Sequence, residues 1–519
     1  MKLANKALLL AALGVAIAAP SFAQDDSSAL FADQPADSGA SAAKTPAAAQ
    51  SAASGSDFTL RLSGDHEFDY HFPVYSSPYN YNGPMTSPAF TNDLGVELQD
   101  GQIKLVSHWA LDLSPEYATG NDGEYGIGGG GALMKPLENY ISWNPSAFKL
   151  AFGYQVFSWG VADKVNPTDN LNPRDFTVGW NADKIPVLAA DANWYATDNL
   201  SVEAVFLPYK QASIYPVDFK DELVSKLSCS NVNYSSLAYD PGSAVAGGKL
   251  NYHSSAVDFS LSYLYDIDAF YTPEITTTAG MTSVAGISSI SLDRRRIQRF
   301  GADAKTTVGK FGIWFEGCYN LTDNSGSSDY SVRDSNLAYV LGCDTNYGPN
   351  DSFYANIQYI GTWIPGYDSS SVSDYPLSAL YSANAYNPAY MLKFYERQTV
   401  SLLGLETEGL LQGVTLNLKW EFLDGLLTPQ VTAIYTVPFQ YDTTNATRYG
   451  DLGLNPEVDL KPVDSFHIKL GADLAYAWVK NAGSDSVSLN TSTDKIGSYS
   501  PYNNVYLTVL YKWNYDLKK

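Results

Sequence analysis

"FHIKLGADLAYAW", residues 466–478, is the stretch on which the fold turns. Its even positions are apolar or small: Phe466, Ile468, Leu470, Ala472, Leu474, Tyr476 and Trp478. Its odd positions begin polar, with His467, Lys469 and Asp473 around Gly471, and then go small at Ala475 and Ala477. A repeat of two is the signature of an extended strand with two unlike faces. The apolar face needs something to meet, either a second sheet in a sandwich or lipid, with the polar face turned to water inside a barrel.

The amino-terminal residues bear on that choice. "MKLANKALLLAALGVAIAAPSFAQ" has Lys2 and Lys6, an apolar run from Ala7 to Ala19, and Ser21-Phe22-Ala23. This is a secretory leader, with cleavage expected after Ala23. No Cys follows the cut, which argues against a lipid anchor. Residues 24–56 are rich in Ala, Ser and Pro, as in "ADQPADSGASAAKTPAAAQSAAS" (32–54), and are expected to form a disordered periplasmic tail. Beyond the leader no run of about 18 apolar residues occurs. A membrane location would therefore require a closed barrel, since only helices and barrels satisfy their backbone groups in lipid.

Composition favours the barrel. The 519 residues include 38 Tyr, 22 Phe and 10 Trp, residues typical of membrane interfaces and pleated surfaces. The net charge of -23, more negative still once Lys2 and Lys6 leave with the leader, argues against nucleic acid as a partner. Three Cys cannot all pair with one another, and no structural role is expected for Cys229, Cys318 or Cys343.

From Phe58 onward alternating segments recur, as in "FTLRLSGDHEFDYHF" (58–72), "IKLVSHWALDL" (103–113), "FKLAFGYQV" (148–156), "VDFSLSYLY" (257–265), "VTLNLKWEF" (414–422) and "VYLTVLYKW" (505–513). Tight turns are signalled at Asp100-Gly101, Asn144-Pro145, Asp198-Asn199, Gly309-Lys310, Gly348-Pro349 and Asp424-Gly425. Between them lie long polar stretches at 114–136, 158–184, 209–246, 268–294, 364–395 and 479–502. Short turns on one side and long loops on the other are the arrangement of transmembrane barrels. The fold expected is all-β: an antiparallel barrel over residues 57–519 with about 18 strands (16–20) and an open lumen. The count is least defined in 364–412.

In that barrel the apolar face of 466–478 meets lipid, and His467, Lys469 and Asp473 face the lumen. The same parity turns Arg61, Asp65, Glu67, Asp69 and His71 inward on the first strand. It does so for Lys104, His108 and Asp112 on the segment at 103–113, and for Thr415, Asn417, Lys419 and Glu421 on 414–422. With "LKWEFLDGLLTPQVTAIYTV" (418–437), "DSFHIKLGADLAYAW" (464–478) and a last strand "NVYLTVLYKW" (504–513), the chain resembles the porin-like outer-membrane barrels of Gram-negative bacteria, including polysaccharide-export-like barrels. The resemblance implies an outer-membrane location, surrounding lipid and insertion by the barrel-assembly machinery, with homo-oligomerisation open. One departure is that the chain runs past Trp513 and Tyr515 to "DLKK", where such barrels often end on an aromatic residue.

Three stretches carry candidate chemistry. In "FGYQVFSWGVADKVNPTDNLNPRDFTVGWNADK" (152–184), Trp159-Gly160 breaks a strand and Asn166-Pro167 and Asn172-Pro173 set turns beside Asp169 and Asp175. Its Trp-Gly…Asn-Pro-x-Asp pattern resembles one found in porin-like barrels. Folded into the lumen, Asp163, Lys164, Asp169, Arg174 and Asp175 would narrow and charge a pore; the plainer alternative is a rim loop held by Asx-turns. In "DRRRIQRF" (293–300), Arg295 and Arg299 would point into the lumen near the outer mouth and face Asp65, Glu67 and Asp69 across it; alternatively the cluster is a solvated rim. In "GDHEFDYHF" (64–72), Glu67, Asp69 and His71 share a face but lie about 6.6 Å apart successively, from a rise of roughly 3.3 Å per residue, too far for a compact metal site. No metal or cofactor is expected. None of the five His sits in a Gly-x-Ser-x-Gly or His-Glu-x-x-His setting, and "GIGGGG" (126–131) lacks a phosphate-loop context, so no enzyme is expected.

The function expected is a porin, a water-filled channel for passive diffusion of small hydrophilic solutes and ions. The alternatives are a surface adhesin or structural protein with a plugged lumen, or a substrate-specific oligosaccharide channel.

Overall fold

Eighteen antiparallel strands follow one another around a closed ring in the computed structural model of the chain. It describes residues 58–74, 88–113, 127–129, 132–163, 165–176, 182–214, 232–234, 241–277, 287–324, 331–367, 409–438, 447–480, 486–490 and 495–518. The leader, the expected tail and the central part of the 364–412 region lie outside these residues, as do Cys229 and Lys164. The strands are β1 (Phe58–Pro73), β2 (Ala89–Asp100), β3 (Ile103–Leu113), β4 (Ala132–Trp143), β5 (Phe148–Gln155), β6 (Val187–Tyr195), β7 (Leu200–Leu207), β8 (Val245–Tyr252) and β9 (Asp258–Ile267). They continue as β10 (Arg296–Val308), β11 (Phe311–Leu321), β12 (Asn336–Tyr347), β13 (Phe353–Trp363), β14 (Leu410–Trp420), β15 (Leu427–Pro438), β16 (Thr447–Val463), β17 (Phe466–Lys480) and β18 (Asn504–Lys518). Each pairs with its sequence neighbours, and β1 closes the ring against β18 from Thr59↔Lys518 to Pro73↔Asn504. Closure leaves no edge among the barrel strands, which a chain surrounded by lipid requires.

The connections sort as the turn signals predict. At one end they are short, such as Gly309-Lys310 between β10 and β11. Gly101 there has φ +61 and nothing near the position a Cβ would take, so glycine serves for its conformation alone. At the other end lie the long connections. Two of these, between β7 and β8 and between β9 and β10, build a small sheet from residues 232–234, 272–277 and 287–293.

Side-chain parity gives the barrel its two surfaces. Phe152 is 57% exposed, Leu341 54% and Leu470 56%, all on the outer face. On β17 the residues between them point the other way, and His467 and Lys469 are each only 6% exposed. The small inward residues Ala475 and Ala477 are buried because the connection after β17 folds back onto them. Asn503 uses its side chain to accept from the Ala475 amide (2.6 Å) and donate to its carbonyl (3.1 Å), and residues 495–502 form a 3₁₀ segment beside it. Pro456 sits inside β16, where pairing with β17 skips from Leu454↔Leu474 to Glu457↔Gly471. Asn455 fills the gap, donating to the Ala472 carbonyl (3.4 Å) and the Asp473 carboxylate (2.7 Å).

Candidate functional site: a strap across the lumen

The described residues of the connection between β5 and β6, 156–163, 165–176 and 182–186, are folded into the barrel. At its base Asn172 ties the two ends together. Its amide donates to the carbonyls of Gln155 (3.1 Å) and Ile185 (2.9 Å), and its oxygen accepts from the Phe157 amide (2.7 Å). Phe157, Trp159 and Leu171 are buried against inward-facing Val187, Ala189, Val205, Leu207, Val245 and Leu264. The wall of β6–β9 therefore becomes apolar at its loop end, and the strap closes a hydrophobic core there. The Trp159 indole donates to Glu203 (3.0 Å), which satisfies its one polar atom.

From this base the strap reaches the wall at β11 and β13, six to eight strands further round a ring of eighteen. Glu316 on β11 is fully buried. One of its oxygens accepts from the amides of Val161 (2.8 Å) and Ala162 (2.9 Å), and the other from the amide (2.7 Å) and hydroxyl (2.9 Å) of Thr168. Gly160 has φ +94, and a Cβ there would lie 2.4 Å from the Glu316 oxygen, so the strap can approach the carboxylate only with glycine at this point. Three residues on, the Asp163 amide donates to Gln358 (3.0 Å), and Asn356 donates to the Asp163 carboxylate (2.9 Å).

The outer side of the strap is held by charge. Lys184 pairs with Asp169 (2.6 Å) and donates to the Phe157 carbonyl (2.6 Å), while Arg174 lies 3.4 Å from Asp169. Burial pushes the Lys184 ammonium below its usual range, against the attraction of Asp169. Arg174-Asp175 pairs with Asp183-Lys184, and the next connection docks on it through Ile214, whose amide donates to the Arg174 carbonyl (2.8 Å). From that connection Lys210, with its side chain fully buried, donates to the Asn170 carbonyl (2.6 Å) and to both oxygens of Asp266 (2.8 and 2.9 Å). Arg299 bonds Asp266 (2.8 Å), Asp268 (3.3 Å) and Asn320 (2.7 Å), and Arg333 bonds Asp268 (3.1 Å). Burial pushes the Lys210 ammonium down. At Asp268 burial acts to raise the carboxyl, but Arg333 and Arg299 outweigh it and hold the group below the ordinary range.

The structure thus brings Asp163, Asp169, Arg174 and Asp175 together on one strap, but in unlike settings. Asp163 is half-buried against β13. Asp175 is buried, and Asp169 has its side chain, 5% exposed, in ion pairs with Lys184 and Arg174. Arg299 faces inward as parity predicts, yet its guanidinium is enclosed by two carboxylates and is 5% exposed, so it presents no bare positive charge to the lumen. Arg295 precedes β10, and its exposed side chain pairs with Glu274 of the neighbouring connection (3.3 Å). On β1, Asp65, Glu67 and Asp69 lie opposite the outward Phe68, Tyr70 and Phe72; Glu67 is buried, and Asp69 accepts from the Thr508 hydroxyl of β18. Cys318 is a buried free thiol facing inward on β11, and Cys343 a free thiol on the outer face of β12. Among the described residues no three His, Cys, Asp or Glu side chains gather closely enough to hold a metal ion.

One cluster is invisible in the sequence. On β14–β18, near the turn end, Lys419, Lys461, Lys469, Lys512 and His467 line a recess around Glu457 and Asp459. His467 bonds Asp459 (3.0 Å), and Glu457 accepts from Tyr506 (2.8 Å) and Gln430 (2.8 Å). This recess lies on β14–β18, next round the ring from the strap's contacts on β11 and β13.

No family model and no curated protein matches the chain. Among solved structures it is similar to Acinetobacter baumannii OccAB1 at 10% identity and TM-score 0.47, over 90% of this chain and 98% of that one. It is similar to Pseudomonas aeruginosa OccK5 (OpdH) at 9% identity and TM-score 0.44, over 89% and 98%. It is also similar to Pseudomonas aeruginosa OccK2 (OpdF) in complex with glucuronate at 8% identity and TM-score 0.47, over 89% and 98%. At that identity and superposition the likeness says nothing of what passes through this lumen.

Proposed function

We propose that the protein is an outer-membrane porin, a water-filled channel for passive diffusion of small hydrophilic solutes and ions. The observation that carries this reading is the opposition of two surfaces on one ring. The outer face is an apolar belt, while the inner face carries charged and amide side chains and a strap folded across the opening. A ring of eighteen strands encloses more space than its own side chains fill. The strap reduces that space, so the half-buried Asp163 borders the path, held there by the buried Asn356 and Gln358, and Lys419 lies one inward position from Asn417, the partner of Asn356. The reading brings with it outer-membrane lipid around the belt and the barrel-assembly machinery for insertion, and it gives no side chain a catalytic part.

Liposome swelling with uncharged sugars of graded size tests it. Swelling that falls steeply with sugar size is the expected outcome. Folded protein that admits no sugar and no ion would remove the porin reading and favour an adhesive or structural surface role for the long connections.

A further inference from the structure

From the contacts at Glu316 we infer that this residue positions the strap through its negative charge, so that acid releases the strap and makes the channel unsteady. The inference rests on the porin reading and adds a means of regulation to it.

Glu316 holds the strap in a way that depends on ionisation. All four bonds it makes to the strap run from a donor on the strap to a carboxylate oxygen: three backbone amides and one hydroxyl. A carboxylate accepts at both oxygens, and a carboxylic acid must place its own proton against one of them. Protonation therefore sets an O–H against N–H donors that cannot turn away, and the amides facing the protonated oxygen lose their partner. No cation among the described residues takes part in these bonds. The titratable groups that face it along the wall are Asp303, directly opposite on β10, and Cys318, the next inward residue on β11. Asp303 accepts from Ser260 and lies 4.0 Å from Lys249, and it carries charge of the same sign as Glu316. From β12 the facing residue is Val340, which is uncharged. From the strap, Asp163 is turned to Asn356, and Asp169 to Lys184 and Arg174. Glu316 is thus the group whose loss of charge frees Val161, Ala162 and Thr168, while Asp163 keeps its bonds to Gln358 and Asn356 and the base at Asn172 stays closed.

Two readouts test this, one independent of conduction. Thr168 is 3% exposed. With Cys229, Cys318 and Cys343 replaced by Ser, a Thr168→Cys thiol should react slowly with a methanethiosulfonate reagent at about pH 7. Adding Glu316→Gln should speed that reaction about tenfold or more, the scale expected when a charged acceptor's hydrogen bonds are lost. In planar bilayers, the wild-type channel should be steady at about pH 7 and flicker at about pH 4, whereas Glu316→Gln should flicker at both. A Cβ at Gly301 would lie 3.4 Å from the Thr168 Cβ, near the usual disulfide spacing. Oxidised Thr168→Cys/Gly301→Cys should therefore be steady at both pH values and flicker again on reduction. Unchanged labelling in Glu316→Gln, or an acid response that survives the oxidised tether, would overturn the inference. Expected labelling in a protein that passes no ions would sink the porin reading and leave the role of Glu316 standing.

Discussion

Two of the strap's moorings work by different physics. On its far side, Glu316 takes four bonds from neutral donors and sits beneath Gly160 and Thr168. On its outer side, Lys210, Asp266, Arg299, Asp268 and Arg333 form a chain of alternating charges that ends on the strap at the Asn170 carbonyl. The first mooring is a single group whose holding power depends on its own ionisation. In the second every charge has an opposite beside it, so it is stiff, and the loss of a member leaves its buried neighbours with fewer partners.

The largest expected effect follows from that contrast. Lys210→Met keeps the length of the side chain but leaves Asp266 with Arg299 as its remaining cation and removes the donor to Asn170. Deleting one partner of a buried pair costs about 3–5 kcal/mol. The unfolding midpoint in detergent should fall well below wild type, and an unchanged midpoint would break the account of the ionic mooring. Trp159→Ala removes the strap's main apolar anchor, with an expected loss of about 3–5 kcal/mol read in the same way. Glu316→Gln should cost less, about 1–3 kcal/mol, because the amide keeps one acceptor. If the moorings are independent, the losses in a Lys210→Met/Glu316→Gln double variant should add to within about 0.5 kcal/mol.

Acid should separate them further. A carboxyl held below its unfolded value contributes stability that is complete above that value, about 3.9 for Asp, and is lost as pH falls through the lower folded value. Asp268 is such a group, so the ionic mooring should hold at about pH 5 and fail only in stronger acid. The smallest expected effect is that of Asp163→Asn, which removes one charge beside the path. It should shift the reversal potential toward anion preference and leave the unfolding midpoint unchanged.

How much of this was legible in the sequence depended on whether a feature is local. The period of two in 466–478 places Leu470 against lipid and Lys469 in the lumen, and the structure has both there. Turn residues such as Gly101 and Gly309 mark the short end because the constraint lies in the turn itself. The strap was readable from Trp159-Gly160 and the Asn-Pro pairs, but its moorings were not. Glu316 and Thr168 are far apart in sequence and are joined only through the barrel's circumference. A signal was present at the strap's base in the consecutive apolar residues Ala204, Val205, Phe206 and Leu207, where Val205 and Leu207 are buried under the strap while Phe206 stays on the exposed outer face. The lysine recess needs the register of five strands, which alternation alone does not specify. Pro429 and Pro456, which would ordinarily demote a strand, sit inside β15 and β16, and beside Pro456 the Asn455 amide supplies the missing bonds.

The most direct test is single-channel recording of the refolded protein in a planar bilayer, with the reversal potential taken in a salt gradient. The account predicts discrete, ohmic steps and a reversal potential that moves when Asp163 is neutralised. A correctly folded protein that gives no steps at any voltage would contradict it.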